Sequence, residues 1–213
     1  MCLVGRTPPR IWIEIVTRVT ATSRSACAAS DWSEAAGVPE LSRSCDADWT
    51  LETDSLRLTP MVECDTDALF RLLKDPEIHV FTGGHPPASA DYVTARIRRR
   101  ESRRSPAGDE LWLNWTLRLI ADQSVVGYVQ AGVTEGKADM AWVVGVPYQR
   151  RGYASEASQR VLQWLRDHLG VHEVRANIHP DHVASHRVAR NIGLLKSGER
   201  TDEGEEVWRA SFR

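Results

Sequence analysis

The sequence predicts an α+β fold in which helices pack on a largely antiparallel sheet. Three observations carry that expectation. Between residues 111 and 146 three successive segments joined by short polar turns read as strands, the first of them alternating apolar with polar residues at every second position. Residues 154–169 then repeat their apolar positions at a spacing of four, as one face of a helix does. A strand, a helix and a final strand follow, each bounded by glycine or a capping residue.

In chain order, "SLRLTP" (55–60) reads as a short strand closed by proline, which lacks the amide hydrogen a continuing ladder needs. "CDTDALFRLLKD" is a helix, with Leu69, Leu72 and Leu73 on one face and Asp65 and Asp67 near its positive N-terminal end. A second helix starts at Ser89, whose hydroxyl is placed to cap it, and runs through the basic stretch 96–104. Strands are expected over 111–119, where Leu111, Leu113, Trp115, Leu117 and Leu119 share a face, over 125–131 and over 138–146. Ala157, Val161, Leu165 and Leu169 stripe the long helix, with Ala154 and Leu162 widening the stripe, and Gly170 ends it. "VHEVRANI" is a strand, "SHRVARNIG" a helix capped by Ser185 and closed by Gly193, and "EVWRASF" the last strand. The order is β-α-α-β-β-β-α-β-α-β.

Composition bounds the function. The 213 residues, 42% hydrophobic and 26% charged, suit one domain with an appendage, and a net charge of -2 argues against a dedicated nucleic-acid binder. Residues 1–50 lack either periodicity and read as a mobile extension, a partner-binding or targeting arm, or an over-long gene model, with the structured domain covering 51–213. Cys2, Cys27, Cys45 and Cys64 show no metal-type spacing and fit a reducing compartment. There is no run of about 18 apolar residues to span a bilayer, and Glu14 breaks the early apolar stretch Ile11-Trp12-Ile13, so the expectation is an unexported, cytoplasmic protein without a membrane partner.

Chemistry concentrates at one junction. In "VPYQRRGYASEA" an apolar strand hands over to the long helix through two arginines and a glycine. The first amides of a helix have no intrahelical partner and sit at the positive end of its dipole, so such an end binds anions. Gly152 removes a side chain that would hold a phosphate off the backbone, Ala154 stays small, and Arg150 and Arg151 add cationic reach. Together they make a pyrophosphate cradle plausible, beside the simpler reading of a surface turn with solvated arginines. Neither G-x-x-x-x-G-K-[ST] nor G-x-G-x-x-G occurs, so nucleotide hydrolysis and dinucleotide binding have no fingerprint.

The stretch "AWVVGVPYQRRGYASEA" resembles motif A of the GNAT N-acetyltransferase superfamily, Q/R-x-x-G-x-G/A, with Gln149, Gly152 and Ala154 in register. "LRLTP", "YASEA" and "HPDHVASHRVARNIGL" are similar to its RimJ/RimL-like branch, which includes acetylases of ribosomal-protein N-termini. The resemblance spans about residues 51 to 213. It implies the GNAT fold, a mostly antiparallel central sheet with helices on both faces, and acetyl-CoA as donor. Pantetheine would pair with backbone where the central strand splays from its neighbour near Val144 to Val146, and the pyrophosphate would lie on Gln149, Arg150, Arg151, Gly152, Tyr153 and Ala154. Positions 182 and 185 would add polar contacts, with His182 standing where the family commonly has Asn, and Ser185 beside it.

By the same analogy the acetyl group passes directly to a primary amine, a protein N-terminus or a small molecule, in a ternary complex. The amine must lose a proton, the thioester oxygen needs a donor such as the amide of Val144 or a neighbour, and the thiolate needs a proton. Asp139 and Glu135 are the candidate bases, with solvated strand-end carboxylates as the plainer reading, and Ser185 is the candidate acid, with a helix cap as the plainer reading. No tyrosine follows Tyr153, so the family's tyrosine acid has no counterpart.

His168, His172, His179, His182 and His186 crowd together without a tetrahedral ligand spacing, so no metal is expected. Trp112, Trp115 and Trp142 read as core. The run 96–104 is a solvated helix face or, alternatively, a contact for acidic substrate or RNA. Two rival classes stay open: a GNAT-fold module that holds CoA with weak turnover, and a ribosome- or RNA-associated interaction protein. A homodimer is also left open.

Overall fold

A computed structural model describes residues 49–82 and 84–212 of the chain. The low-complexity segment before residue 49, three of the four cysteines and Gly83 lie outside the described residues. Trp49, placed in the extension on sequence, is buried, stacking on Trp115 at a ring separation of 6.2 Å and packing tilted against Trp164 at 5.3 Å, so it belongs to the core.

The elements run β1 (Leu51–Glu52), β2 (Leu56–Pro60), α1 (Thr66–Leu73), α2 (Ala90–Arg100), β3 (Leu111–Leu119), β4 (Val125–Thr134) and β5 (Lys137–Val144). Then follow α3 (Tyr153–Leu169), β6 (Glu173–Ile178), α4 (Val183–Asn191), β7 (Leu195–Arg200) and β8 (Glu206–Ser211). The eight strands form one sheet in the order β1-β2-β3-β4-β5-β6-β8-β7, antiparallel at every pairing except β5 with β6. That exception follows from connectivity, because β5 returns to β6 through α3, and a helical crossover joins strands running the same way.

Helices cover both faces. On one, Ala157, Val161, Leu162 and Leu165 of α3 and Ala189 of α4 pack on Leu113, Val129, Ala131, Met140 and Val174. On the other, Leu69 and Leu73 of α1 and Val93 and Ile97 of α2 enclose Tyr128, with Val143 and Val146 against them. Strand alternation produces the division, since Val129 and Ala131 point to α3 while Tyr128 and Gln130 point the other way.

The element order holds, with four corrections. β1 is a two-residue strand too short to show a period. β7 was missed because all six of its residues are exposed, so this edge strand carries no alternation. Ser89 caps α2 as expected, accepting from the Tyr92 amide at 3.2 Å, but the helix stops at Arg100 and residues 101–104 leave it. Ser185 is no cap: α4 already starts at Val183, which places Ser185 on its first turn and buries it.

The exposed edge is tied down electrostatically. Glu206 Oε1 accepts from Lys196 Nζ at 2.5 Å, with Arg200 Nη2 at 3.6 Å, and Oε2 lies 3.5 Å from His186 Nε2. The Lys196 hydrogen bond holds this carboxyl below its ordinary value of 4.5. A depressed carboxylate contributes stability above its unfolded pKa and loses it as pH falls through the folded one. Protection factors of the β7 amides, with the intrinsic pH dependence of exchange divided out, should therefore fall as pH drops below 4.5, and Glu206→Gln should flatten that dependence; equal acid sensitivity in the variant would remove Glu206 as its source.

Candidate active site

The site begins where β5 leaves β6. The two strands pair only through Lys137–Glu173, Ala138–Val174 and Asp139–Arg175, and from Met140 onward β5 keeps only β4 as neighbour. The splay thus opens at Met140, earlier than the Val144 to Val146 expected, because three parallel pairs are all that form before β6 turns away.

Backbone direction in the gap follows from register. The Gly145 amide donates to the Val126 carbonyl at 2.9 Å, so in the alternating antiparallel pattern Val143 and Ala141 bond to β4. Met140, Trp142 and Val144 alternate with these and turn their amides and carbonyls into the gap. The Val144 carbonyl there accepts from Gln149 Nε2 at 3.1 Å, which folds the start of the next loop back on the strand. On the outer side Leu72 of α1 lies against Gly145, where a Cβ would meet its Cδ2 at 2.5 Å.

Beyond β5 a short 3-10 turn (Val146–Tyr148) leads into the loop. Arg150 takes φ +63 and Gly152 φ +87, and two left-handed residues within three make the reversal that starts α3. The first helical bond runs from the Glu156 amide to the Gly152 carbonyl at 3.0 Å, so the amides of Tyr153, Ala154 and Ser155 have no intrahelical acceptor. A Cβ built on Gly152 meets nothing within 4 Å, so its open side faces space that a ligand can enter. Arg150 and Arg151 are exposed beside it. This geometry fits a pyrophosphate: unpaired amides at a 17-residue helix, no side chain in the approach, two cations at the rim. Tyr153 and Ala154 are half-buried, Tyr153 packing on the core. Glu156 does more than offset the helix dipole, because its Oε1 accepts from the Ser55 amide at 2.8 Å and ties α3 to the start of β2.

Across the gap stands α4. Trp142 Nε1 donates to Ser185 Oγ at 3.3 Å, so Trp142 is a wall of the splay as much as a core residue. His182 stacks on Phe81 at 4.8 Å and 18°, joining the α1–α2 loop to the start of α4. Burial, with His186 and His179 nearby, lowers its pKa from 6.5, so near neutrality the ring is uncharged with one donor and one acceptor nitrogen.

The two candidate bases part company. Asp139 is forked by Arg175, Nε to Oδ1 at 2.5 Å and Nη2 to Oδ2 at 3.2 Å, an arrangement that engages both carboxylate oxygens. It lies three residues, about 10 Å along the strand, from Trp142. Glu135 is exposed in the β4–β5 turn at φ +49, about 30 Å along β5 from Val144. Sequence reasoning missed Arg175 as the partner of Asp139, since only the parallel register puts them together.

The basic run is largely engaged. Arg98 forks Glu63 at 2.7 and 2.6 Å, and Arg99 and Arg100 lie over the Trp112 ring at 5.9 and 5.6 Å. Of the crowded histidines, His168 stacks on Trp164 and His186 on Trp208, while His179 and His182 both lie against Phe81. Among the described residues no three His, Cys, Asp or Glu side chains group as a metal set, and no helix is long and apolar enough to cross a membrane.

Comparison with known proteins agrees with this fold. A family model described as an acetyltransferase (GNAT) domain matches residues 55–195, more than half of the chain. Uncharacterized N-acetyltransferase YnaD of Bacillus subtilis (strain 168) is 33% identical over 73 residues, 33% of this chain and 43% of that protein, so the match spans less than half of its length. RimJ of Mycobacterium smegmatis, solved in complex with CoA-disulfide, superposes with a TM-score of 0.62 at 18% identity, covering 73% of this chain and 81% of that one. Aminoglycoside acetyltransferase AAC(6')-Ib in complex with coenzyme A gives 0.61 at 16% identity, over 74% and 95%.

Proposed function

The chain belongs to the GNAT acetyltransferase family, and from that premise we propose that it transfers the acetyl group of acetyl-CoA directly to a primary amine, a protein N-terminus or a small molecule, in a ternary complex. The observation that carries this reading is the meeting of the β5–β6 splay with the α3 N-terminus at Gly152. Acetyl-CoA supplies an activated acyl group whose pyrophosphate the amides of Tyr153 and Ala154, with Arg150 and Arg151, would hold. Gln149 keeps the loop against the strand.

The remaining steps fall to the splay. The inward amides of Trp142 and Val144 are donors for a thioester oxygen as it gains charge. Ser185 Oγ accepts the Trp142 indole hydrogen, which leaves its own hydroxyl proton to donate to the departing sulfur. His182 forms the wall beside it as a neutral ring. Asp139, with both oxygens on Arg175, would act on the amine only through water; Glu135 takes no role.

The test combines calorimetry of acetyl-CoA with free-thiol release across a panel of amines. Micromolar binding and release with at least one primary amine are expected. Binding with no release for any amine would make the chain a CoA-holding module, and no binding would overturn the donor assignment.

A further inference from the structure

The other face of β5 carries a row of polar side chains around one small residue. Asp139, Ala141 and Val143 alternate onto the face where Val143 packs with the α1 and α2 cluster. Gln130 of β4 is paired with Ala141 and shares that face. Asn177 of β6 is two residues beyond Arg175, whose guanidinium meets Asp139 on the same face. Extending that register puts Asn177 opposite Ala141, across strands that no longer pair. Ala141 is thus a small, half-exposed floor with a carboxamide on each side, one strand away in either direction.

Both carboxamides are short of a partner. Gln130 is 5% exposed, and its Oε1 is buried with no donor among the described residues; Asn177 Oδ1 is likewise buried and unpartnered. Native proteins seldom leave such oxygens unmet, and each costs stability until a donor reaches it. Ala141 lies between Met140 and Trp142, whose amides face the splay, so a group resting on Ala141 is next to the place where a thioester carbonyl would lie.

On the transferase reading above, the geometry points to a subsite for the acceptor nitrogen between Gln130 Oε1 and Asn177 Oδ1, over Ala141. Its ligand class is a primary amine recognised by its own N–H groups. Neutral oxygens suit the chemistry better than a carboxylate would. A nearby anion stabilises the ammonium, which cannot attack, whereas carboxamides accept N–H from the free base at little electrostatic bias. The one carboxylate in this row, Asp139, is already neutralised by Arg175.

The experiment uses n-butylamine, which has no polar group besides its nitrogen, with acetyl-CoA and the full chain. Gln130→Met and Asn177→Leu should each raise the amine KM by roughly fivefold or more, the loss of one hydrogen bond, with the calorimetric Kd for acetyl-CoA unchanged. Asn177→Asp should lower KM and kcat together at neutral pH, because the new carboxylate holds the amine protonated. A merely structural role would not produce that split, and Asn177, half-buried at the rim, tolerates both changes if Gln130→Met fails to fold. Unchanged KM in the Asn177 variants overturns the subsite. So does an absence of thiol release from n-butylamine while acetyl-CoA still binds, whereas loss of acetyl-CoA binding in the unaltered chain would instead sink the transferase reading.

Discussion

Gly152→Val should fold and yet bind acetyl-CoA at least ten times more weakly, about 1.4 kcal/mol. Two effects meet at this position. With φ at +87 any side chain costs roughly 1–2 kcal/mol of backbone strain, more for a β-branched one, which a domain of ordinary stability survives. Its Cβ meets no protein atom within 4 Å, so in the free protein nothing else is disturbed. On the proposed binding mode the same side chain would stand between the phosphates and the amides of Tyr153 and Ala154. Gly170 provides the control, because it ends the same helix at φ +60 and is also open around its Cβ. Gly170→Val should lower the melting temperature comparably while leaving affinity intact. Equal affinity in folded Gly152→Val and native protein would show that the loop does not hold the cofactor.

How far the sequence reveals this site depends on whether a feature is local. Gly152 and the stripe Ala157, Val161, Leu165 depend on neighbours along the chain, so a left-handed turn opening an amphipathic helix is legible in order and spacing. Ser185 shows where that logic stops. Its residue type and position suggest a cap, but the helix starts two residues earlier and the hydroxyl is used by Trp142 from another strand. The Asp139–Arg175 fork and the Gln130–Ala141–Asn177 row exist only through strand register, and register is set by the closure of the whole sheet. β7 is illegible for the opposite reason: with every residue exposed, no burial period is written into it. The proposed donor loop is therefore readable from one local motif, and the proposed acceptor row only from the assembled sheet.

The largest stability effect is expected beneath the acceptor-side helices, at Asp65. This carboxylate is 1% exposed just before α1, and it accepts from Thr116 Oγ1 at 2.7 Å, from the Val62 amide at 3.1 Å and from Arg118 Nη2. Thr116 and Arg118 belong to β3, so one buried anion joins the turn that launches α1 to the middle of the sheet. Arg118→Leu would leave that anion buried with two neutral donors and no cation. Breaking such a pair from one side costs about 3–5 kcal/mol, whereas replacing both members by apolar residues costs far less. Urea unfolding should therefore rank Arg118→Leu as more destabilised than Asp65→Leu/Arg118→Leu, an order that inverts the usual rule that two changes cost more than one. If the double variant is the less stable, the pair contributes net stability and burial of Asp65 is not the dominant cost. The ranking bears on function because α1 and α2 cover the face that holds Gln130 and Ala141. In Arg118→Leu, loosening of α1 should raise the amine KM, and because Leu72 of α1 lies against Gly145 and Val146 packs on the same cluster, acetyl-CoA affinity should weaken with it.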